Sequence, residues 1–237
     1  SYFANLKYKF DVKRLSLNLK KKENSIIKID KLYFSNYGYQ KNKIKGEIFD
    51  KEFQVSLDNS KNNLYFKIIN TGISANFNFE RNQNNLLTGI SKINILENYL
   101  KFNFLILKDR FEITKANLRN KELSLFFDSS IKINPFFEIY SNININKIDK
   151  KLAKNLNLEK FLKNQDVLKK FNSNNKVNYV KKKRWHKGLI ENHFSEFRLA
   201  YGNLVFLNKT SIQGGVINCK GDSLLVDEYP RLNFQCF

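Results

Sequence analysis

The residues that could perform acid–base chemistry or bind a metal are few. The chain has two histidines, His186 and His193, with Glu191 and Glu196 nearby. A protein zinc site needs three or four converging ligands, and histidines exposed on a strand or loop account for this spacing more simply. The sequence also contains no G-x-S-x-G, P-loop or G-x-G-x-x-G motif. We therefore expect no catalytic residues, no cofactor and no metal.

A run of basic residues that ends at an aromatic ring is the best candidate for binding an anion. It consists of Lys181, Lys182, Lys183, Arg184 and Trp185. Cations beside an aromatic ring suit the phosphates and stacked bases of nucleic acid, and they equally suit the headgroups at a membrane surface. A solvated loop would have the same composition. We assign these five residues as candidates for contact with lipid headgroups.

The net charge of the chain does not decide between these partners. It is +20 at pH 7, from 42 Lys and Arg against 22 Asp and Glu. Such a surplus attracts the phosphates of nucleic acid or of anionic lipid. However, the abundant residues Lys, Asn, Ile and Phe all have AT-rich codons, so a biased genome would produce the same surplus. The basic residues are mostly scattered along the chain, which disfavours nucleic acid as a partner.

The two cysteines, Cys219 and Cys236, are candidates for a disulfide. They lie in two strand-like segments, and adjacent strands would bring their Cα atoms within the roughly 7 Å that a disulfide requires. Disulfides persist in oxidising compartments, whereas in the cytosol the pair would be two buried thiols. We predict the bond.

The elements that must position these residues are β-strands, because the dominant sequence pattern has a period of two. Every second residue is apolar in 73–79 and again in 100–106, which places the apolar residues of each segment on one face of a strand. Their apolar series consist of Ile73, Ala75, Phe77, Phe79, Leu100, Phe102, Phe104 and Ile106. Similar runs recur about every ten residues between turn-forming residues, which predicts consecutive antiparallel strands.

One segment differs from this pattern. Between Ile148 and Phe171 leucines recur at helical spacing, which predicts a short helical region near 149–171 that ends at 172–175. We therefore divide the chain into strands over 1–147, a helical insertion over 148–175 and C-terminal strands over 176–237. No run of 18 or more apolar residues is present, so no helix of this sequence spans a bilayer.

The aromatic residues make up 14% of the chain, with 22 Phe and 11 Tyr. Many lie in the apolar series, and two structures would account for them. The apolar face of the sheet is either a sealed core or an open groove that accepts acyl chains. Both need the same alternation of residues, so the sequence does not separate them.

Several segments resemble the AsmA-like proteins of the bacterial envelope. The C-terminal ones are 199–204, 218–221 and 224–236, and segment 131–137 lies upstream of the leucine-rich region. The segment 57–79 is also similar to an AsmA-type repeat. The resemblance implies a mainly β fold, with an extended, curved antiparallel sheet that forms an open apolar groove.

The resemblance also implies a function without catalysis. AsmA-like proteins are anchored in the inner membrane, are mostly periplasmic, and are implicated in phospholipid transport. The chain starts at Ser1 and contains no Met, so we expect a processed chain or a fragment whose membrane anchor lies upstream. The expected partners are phospholipid acyl chains, the membrane surface and other envelope proteins.

Under this hypothesis the chain lies at the periplasmic face of the inner membrane and handles phospholipid or assists outer-membrane assembly. Two alternatives remain open. One is a basic nucleic-acid-binding protein, and the other is a purely structural β-domain that assembles with other envelope proteins.

Overall fold

The computed structural model describes residues 8–21, 24–48, 50–58, 60, 62–81, 86–132, 137–149, 168, 172–180, 190–227 and 229–237. This part of the chain forms sixteen strands, which follow one another in the sheet in chain order from β1 to β16. The predicted mainly β class and open antiparallel sheet are confirmed, with one parallel pair. Among the described residues, no helix is long and apolar enough to cross a membrane.

The strands are long for a β-protein, most of them having nine to twelve residues. A short 3₁₀ helix, Gly38–Gln40, lies between β2 and β3. The strands are β1 Asp11–Lys21, β2 Asn24–Ser35, β3 Lys43–Ile48, β4 Lys51–Asp58, β5 Asn63–Ile68, β6 Ile73–Arg81, β7 Leu87–Ile95, β8 Asn98–Ile106, β9 Arg110–Arg119, β10 Leu123–Lys132, β11 Glu138–Ile148, β12 Asn172–Val180, β13 Ile190–Ala200, β14 Asn203–Ile212, β15 Gly215–Leu224 and β16 Asn233–Cys236.

The chain divides into two compact units, residues 1–100 and 101–237. In the first unit, β3 to β7 form a regular antiparallel meander in which each strand pairs with the next without a register shift. The pairing of β1 with β2 is less regular and contains three register shifts. Arg14 and Lys31 have positive φ in these two strands, which is typical of β-bulges.

The second unit contains the parallel pair, β11 and β12, in which Ile139 lies opposite Ser173 and Ile145 opposite Tyr179. Parallel neighbours need a crossover connection of about a dozen residues or more, usually a helix. The connection here falls in the segment predicted to be helical. Leu168, its one described residue after Asp149, is helical and fully buried.

The boundaries predicted for the helical insertion, 148–175, were wrong at both ends. Ile148 is the last residue of β11, and residues 172–175 begin β12 instead of ending a helix. The segment 172–175 is rich in Asn and has no apolar alternation. It forms a strand because β11 and β13 supply backbone hydrogen-bonding partners on both sides, and such tertiary context overrides local strand preference.

Candidate functional site

One face of the first unit is apolar across five strands, β3 to β7. Opposing residues of adjacent antiparallel strands lie on the same face, so the register defines rows of side chains that cross the sheet. The first row consists of Gly46, Phe53, Ile68, Ile73 and Ile95. The second consists of Ile44, Val55, Phe66, Ala75 and Ile93. The third consists of Leu57, Leu64, Phe77 and Ser91. We call these three rows the apolar face.

Four of the eight residues predicted to line a groove lie on or beside this face. Ile73, Ala75 and Phe77 belong to the three rows, and Phe79 follows Phe77 on β6, opposite Gly89. The rings of Phe77 and Phe79 are stacked, with centroids 6.1 Å apart. Ala75 is buried, whereas the other three are only half-buried. The face therefore presents aromatic and aliphatic groups that are partly accessible to solvent.

The aromatic packing of this face depends on a glycine. Phe53 lies opposite Gly46, and a Cβ atom at Gly46 would come within 2.8 Å of the Phe53 ring. A larger residue here would require the Phe53 ring to turn aside. The Phe53 ring also lies 6.1 Å from the Phe66 ring, measured between centroids. Phe53 is therefore buried by residues of its own sheet.

The other four predicted groove residues alternate along β8, and they differ in accessibility. Phe104 is only 4% exposed and stacks on Phe111 of β9, with centroids 6.0 Å apart. Phe102 is also buried, and Leu100 is half-buried, whereas Ile106 is exposed. Phe102 and Phe104 are thus packed as in a core and do not offer a ligand an accessible surface.

The apolar face contains one polar side chain within its three rows. Ser91 on β7 lies opposite Phe77 and has 0% exposure, and its Oγ has no hydrogen-bonding partner in the described part of the chain. A buried hydroxyl without a partner loses its hydration without compensation. Ser91 occupies a position where alternation with Ile93 and Ile95 would place an apolar residue. This break in the pattern is the sequence feature that identifies Ser91 as a polar residue on the apolar face.

The corresponding face of the second unit is interrupted by small polar residues. Phe111 and Ile131 lie opposite each other on this face, as do Phe127 and Ile143. Several polar side chains lie among such apolar residues, and the register places them on the same face. They are Ser129, Ser141, Ser173, Asn175, His193, Ser195, Asn208, Thr210 and Ser223.

Six of these polar residues form three hydrogen-bonded pairs between strands. Ser129 Oγ lies 3.0 Å from Ser141 Oγ, and the Ser195 hydroxyl donates to Asn208 Oδ1 at 2.6 Å. His193 Nδ1 lies 2.8 Å from Thr210 Oγ1, so this histidine has a structural partner in a neighbouring strand. The sequence did not reveal the pairs, because they depend on the register between strands that are not recognisable as partners beforehand.

The opposite face of the first unit is polar and carries exposed ion pairs. Lys31 Nζ lies 2.6 Å from Glu47 Oε1, and Lys28 Nζ lies 2.8 Å from Asp30 Oδ2. Hydrogen bonds from Lys28 and from the Ser16 hydroxyl lower the pKa of Asp30 below its usual value. Exposed pairs of this kind contribute little to stability, so we assign them no functional role.

The candidates for anion and metal binding have little structural support. Lys181, Lys182, Lys183, Arg184, Trp185 and His186 lie outside the described residues, so the prediction of headgroup contact stays a prediction. Glu191 and Glu196 lie on β13 with His193. No group of three or more His, Cys, Asp or Glu side chains in the described ranges could hold a metal ion.

Cys219 and Cys236 are joined by a disulfide between β15 and β16. The two residues lie opposite each other in the ladder. Their neighbours Asn218 and Phe237 exchange both backbone hydrogen bonds, each with an N···O distance of 2.9 Å. The cysteines therefore occupy the adjacent non-hydrogen-bonded pair, where the Cα atoms of an antiparallel ladder are closest. The bond attaches the four-residue strand β16 to the sheet.

No family model, no curated protein and no solved structure matches this chain. The resemblance to AsmA-like proteins therefore stays a prediction that rests on the sequence segments alone.

Proposed function

We propose that this chain is a non-catalytic segment of an envelope protein whose apolar face accepts the acyl chains of phospholipids. The observation that carries the proposal is the set of three apolar rows across β3 to β7, in which most side chains are only half-buried. A contiguous apolar patch left accessible on a protein surface is typical of a binding site for apolar groups. Each buried CH₂ group contributes about 0.8 kcal/mol, so an acyl chain has ample driving force to bind.

The polarity of the two faces agrees with this function. The polar face of the same strands carries Gln54, Lys67, Asn76 and Lys92. Gln54 lies opposite Lys67, and Asn76 lies opposite Lys92. An acyl chain on the apolar face would leave these groups in water. The sheet would thus separate the apolar cargo from solvent on one side and remain hydrated on the other.

The disulfide supports an oxidising compartment as the location of the chain. Structural disulfides are rare in the cytosol of mesophiles and common in the bacterial periplasm. Cys219 and Cys236 are bonded, which favours the periplasmic face of the inner membrane over the cytosol. Under this proposal the chain is AsmA-like and contributes to phospholipid transport or outer-membrane assembly, with other envelope proteins as partners.

The proposal is tested by native mass spectrometry of the purified chain, which should reveal co-purified phospholipid. The informative variant is Phe77→Asp, because Phe77 is half-buried on the apolar face. A carboxylate there should repel acyl chains and abolish most of the bound lipid. Thermal stability is measured alongside, because a buried unpaired charge in a sealed core would instead unfold the unit.

The matched control is Asn78→Asp, which introduces the same charge one position away on the opposite face. Asn78 is exposed and accepts a hydrogen bond from Asn63 through Oδ1, an acceptor that Asp retains. The control should keep both lipid and stability. Absence of lipid from the parent protein, together with unfolding of Phe77→Asp, would contradict the proposal and favour a purely structural β-domain. Co-purified nucleic acid in place of lipid would favour the nucleic-acid alternative.

A further inference from the structure

The tip of the hairpin between β7 and β8 has an unusual residue at its turn. Leu96 has φ 56°, in the left-handed region, and is 67% exposed. This conformation is unfavourable for residues with a Cβ atom other than Asn and Asp. Four other non-glycine turn positions of the first unit with positive φ are occupied by residues that tolerate it, namely Asn42, Asp50, Asn62 and Asn70. Leu96 therefore differs from these four turn residues in having a side chain that does not favour this conformation.

Further apolar groups surround Leu96 at the same end of the unit. Tyr99 is 59% exposed, and Tyr65 of β5 is 36% exposed. Tyr65, Leu96 and Tyr99 line one open hollow together with polar side chains, among them Lys67 and Asn94. We call the group Tyr65, Leu96 and Tyr99, with Lys67, the Leu96 tip. It combines an exposed aliphatic residue, two tyrosines and a cation.

The backbone beneath the Leu96 tip is held in place by side-chain hydrogen bonds. Asn98 Nδ2 donates to the Ile95 carbonyl oxygen at 3.1 Å. In the neighbouring turn, the Thr71 hydroxyl donates to the Ile68 carbonyl oxygen at 2.9 Å. The two turns lie side by side, because a Cβ atom at Gly72 would be 3.8 Å from Leu96 Cα. The apolar groups are therefore displayed on a structured support.

We propose that the Leu96 tip docks on an anionic lipid surface, with Leu96 inserted below the headgroups. Tyrosine is enriched at the membrane interface, where its ring is apolar and its hydroxyl is hydrated. Lys67 meets lipid phosphates, and basic residues near an anionic leaflet add attraction. Glu97 is the acidic residue of the turn, and the chain as a whole has a net charge of +20. Insertion would remove the exposed Leu96 side chain from water.

This proposal is independent of the apolar face and of any lipid cargo. It is tested with the full chain in flotation assays with vesicles of phosphatidylcholine and phosphatidylglycerol in equal parts, and with vesicles of phosphatidylcholine alone. The chain should bind the anionic vesicles more strongly. The decisive variant is Leu96→Asn, because asparagine suits the left-handed turn and should leave the melting temperature unchanged or raised. Its affinity for the anionic vesicles should fall about fivefold, as expected for losing a partly immersed leucine.

The control is Tyr201→Asn in the turn between β13 and β14. Tyr201 also has positive φ, 51°, and is 60% exposed, but it belongs to the second unit. Its replacement should leave vesicle binding unchanged. Equal loss of binding in both variants would show non-specific adsorption to the vesicles and would overturn the proposal. A Leu96→Asn chain that binds like the parent would also overturn it, as would a parent chain that binds no vesicles.

A fluorescent variant provides a readout that does not depend on affinity. In a Trp185→Phe background, Leu96→Trp places the single tryptophan of the chain at the tip. Its emission should shift to the blue on addition of anionic vesicles, and lipids brominated on their acyl chains should quench it. Emission that stays that of a solvated indole while the protein floats with the vesicles would place the contact elsewhere and would contradict insertion.

Discussion

The two units of this chain build the same kind of sheet but treat their apolar faces differently. In the first unit, the three rows across β3 to β7 hold Ser91 as their one polar side chain. In the second unit, the corresponding face contains pairs of polar residues, such as Ser129 with Ser141 and Ser195 with Asn208. A β-sheet can thus tolerate polar groups on its apolar face where the register brings two of them together as hydrogen-bonding partners.

This difference restricts where an acyl chain would bind. A hydrocarbon chain lying across the second unit would cover the polar pairs and isolate them from water, which is unfavourable. On the first unit it would cover aliphatic and aromatic groups almost throughout. We therefore expect the proposed lipid contact to be concentrated on residues 44–95 and to weaken in the second unit.

The largest effect should come from exchanging a packed ring for a small side chain. Phe104→Ala removes a buried ring that stacks on Phe111 and should lower the free energy of unfolding by about 3 kcal/mol. Phe77→Ala removes a half-buried ring and should cost about half as much. Urea denaturation of both variants measures the difference. Equal losses would mean that the apolar face of the first unit is sealed as tightly as the packing around Phe104.

The control for both is Phe126→Ala. Phe126 lies on β10 and is exposed, so its truncation should change the free energy of unfolding by less than about 0.5 kcal/mol. A larger loss would show that the exposed rings of this sheet have packing partners, and the contrast between Phe104 and Phe77 could then not be attributed to burial.

The alternation of residues predicted the faces but not their burial. Phe77 and Phe104 occupy equivalent positions in their sequence patterns, yet one is half-buried and the other is packed against Phe111. The difference depends on residues of neighbouring strands, which periodicity within one strand does not contain. For the same reason the first half of β12, 172–175, was missed, since it has no strand pattern of its own and forms only between β11 and β13. By contrast, the long alternating runs of β6 and β8 were recognisable as strands because one face of each is consistently apolar.

A second effect should distinguish the glycines that lie beneath aromatic rings in the two units. At Gly46 an added methyl group would come within 2.8 Å of the Phe53 ring, a side chain that can turn aside. At Gly221 it would come within 2.3 Å of the Asn233 carbonyl oxygen and 2.7 Å of the Phe206 ring. Gly221→Ala should therefore cost about 2 kcal/mol and Gly46→Ala about 1 kcal/mol, both measured by urea denaturation.

The disulfide sharpens this prediction. Asn233 belongs to β16, which the bond between Cys219 and Cys236 attaches to β15. In the Cys219→Ser, Cys236→Ser double variant β16 can move away from the added methyl group. The cost of Gly221→Ala should then fall, which a double-mutant cycle would report as a coupling free energy. An unchanged cost in the variant without the disulfide would mean that the Phe206 ring, and not β16, opposes the methyl group.

The smallest effect should come from replacing serine by alanine, once on the apolar face of the first unit and once on the corresponding face of the second. The change in the free energy of unfolding should have opposite signs at the two positions. Ser91→Ala removes a fully buried hydroxyl that has no partner among the described residues, so it should be neutral or stabilise by up to about 1 kcal/mol. Ser195→Ala removes the donor to Asn208 Oδ1 and should destabilise by about 1 kcal/mol. Thermal and urea denaturation measure both.

The double variant Ser195→Ala, Asn208→Val separates a lost hydrogen bond from a stranded acceptor. If the cost of Ser195→Ala arises because Asn208 Oδ1 is left without its donor, then replacing Asn208 by an apolar residue of similar size should recover most of it. The second unit would then tolerate an apolar row where it now has a polar pair. Its polar residues would contribute more to the alignment of the paired strands than to the free energy of unfolding. A double variant that is less stable than Ser195→Ala would instead show that Asn208 has further partners or that the space it leaves is not filled. In that case the polar pairs are part of the packing of the second unit, and the two faces differ in construction as well as in polarity.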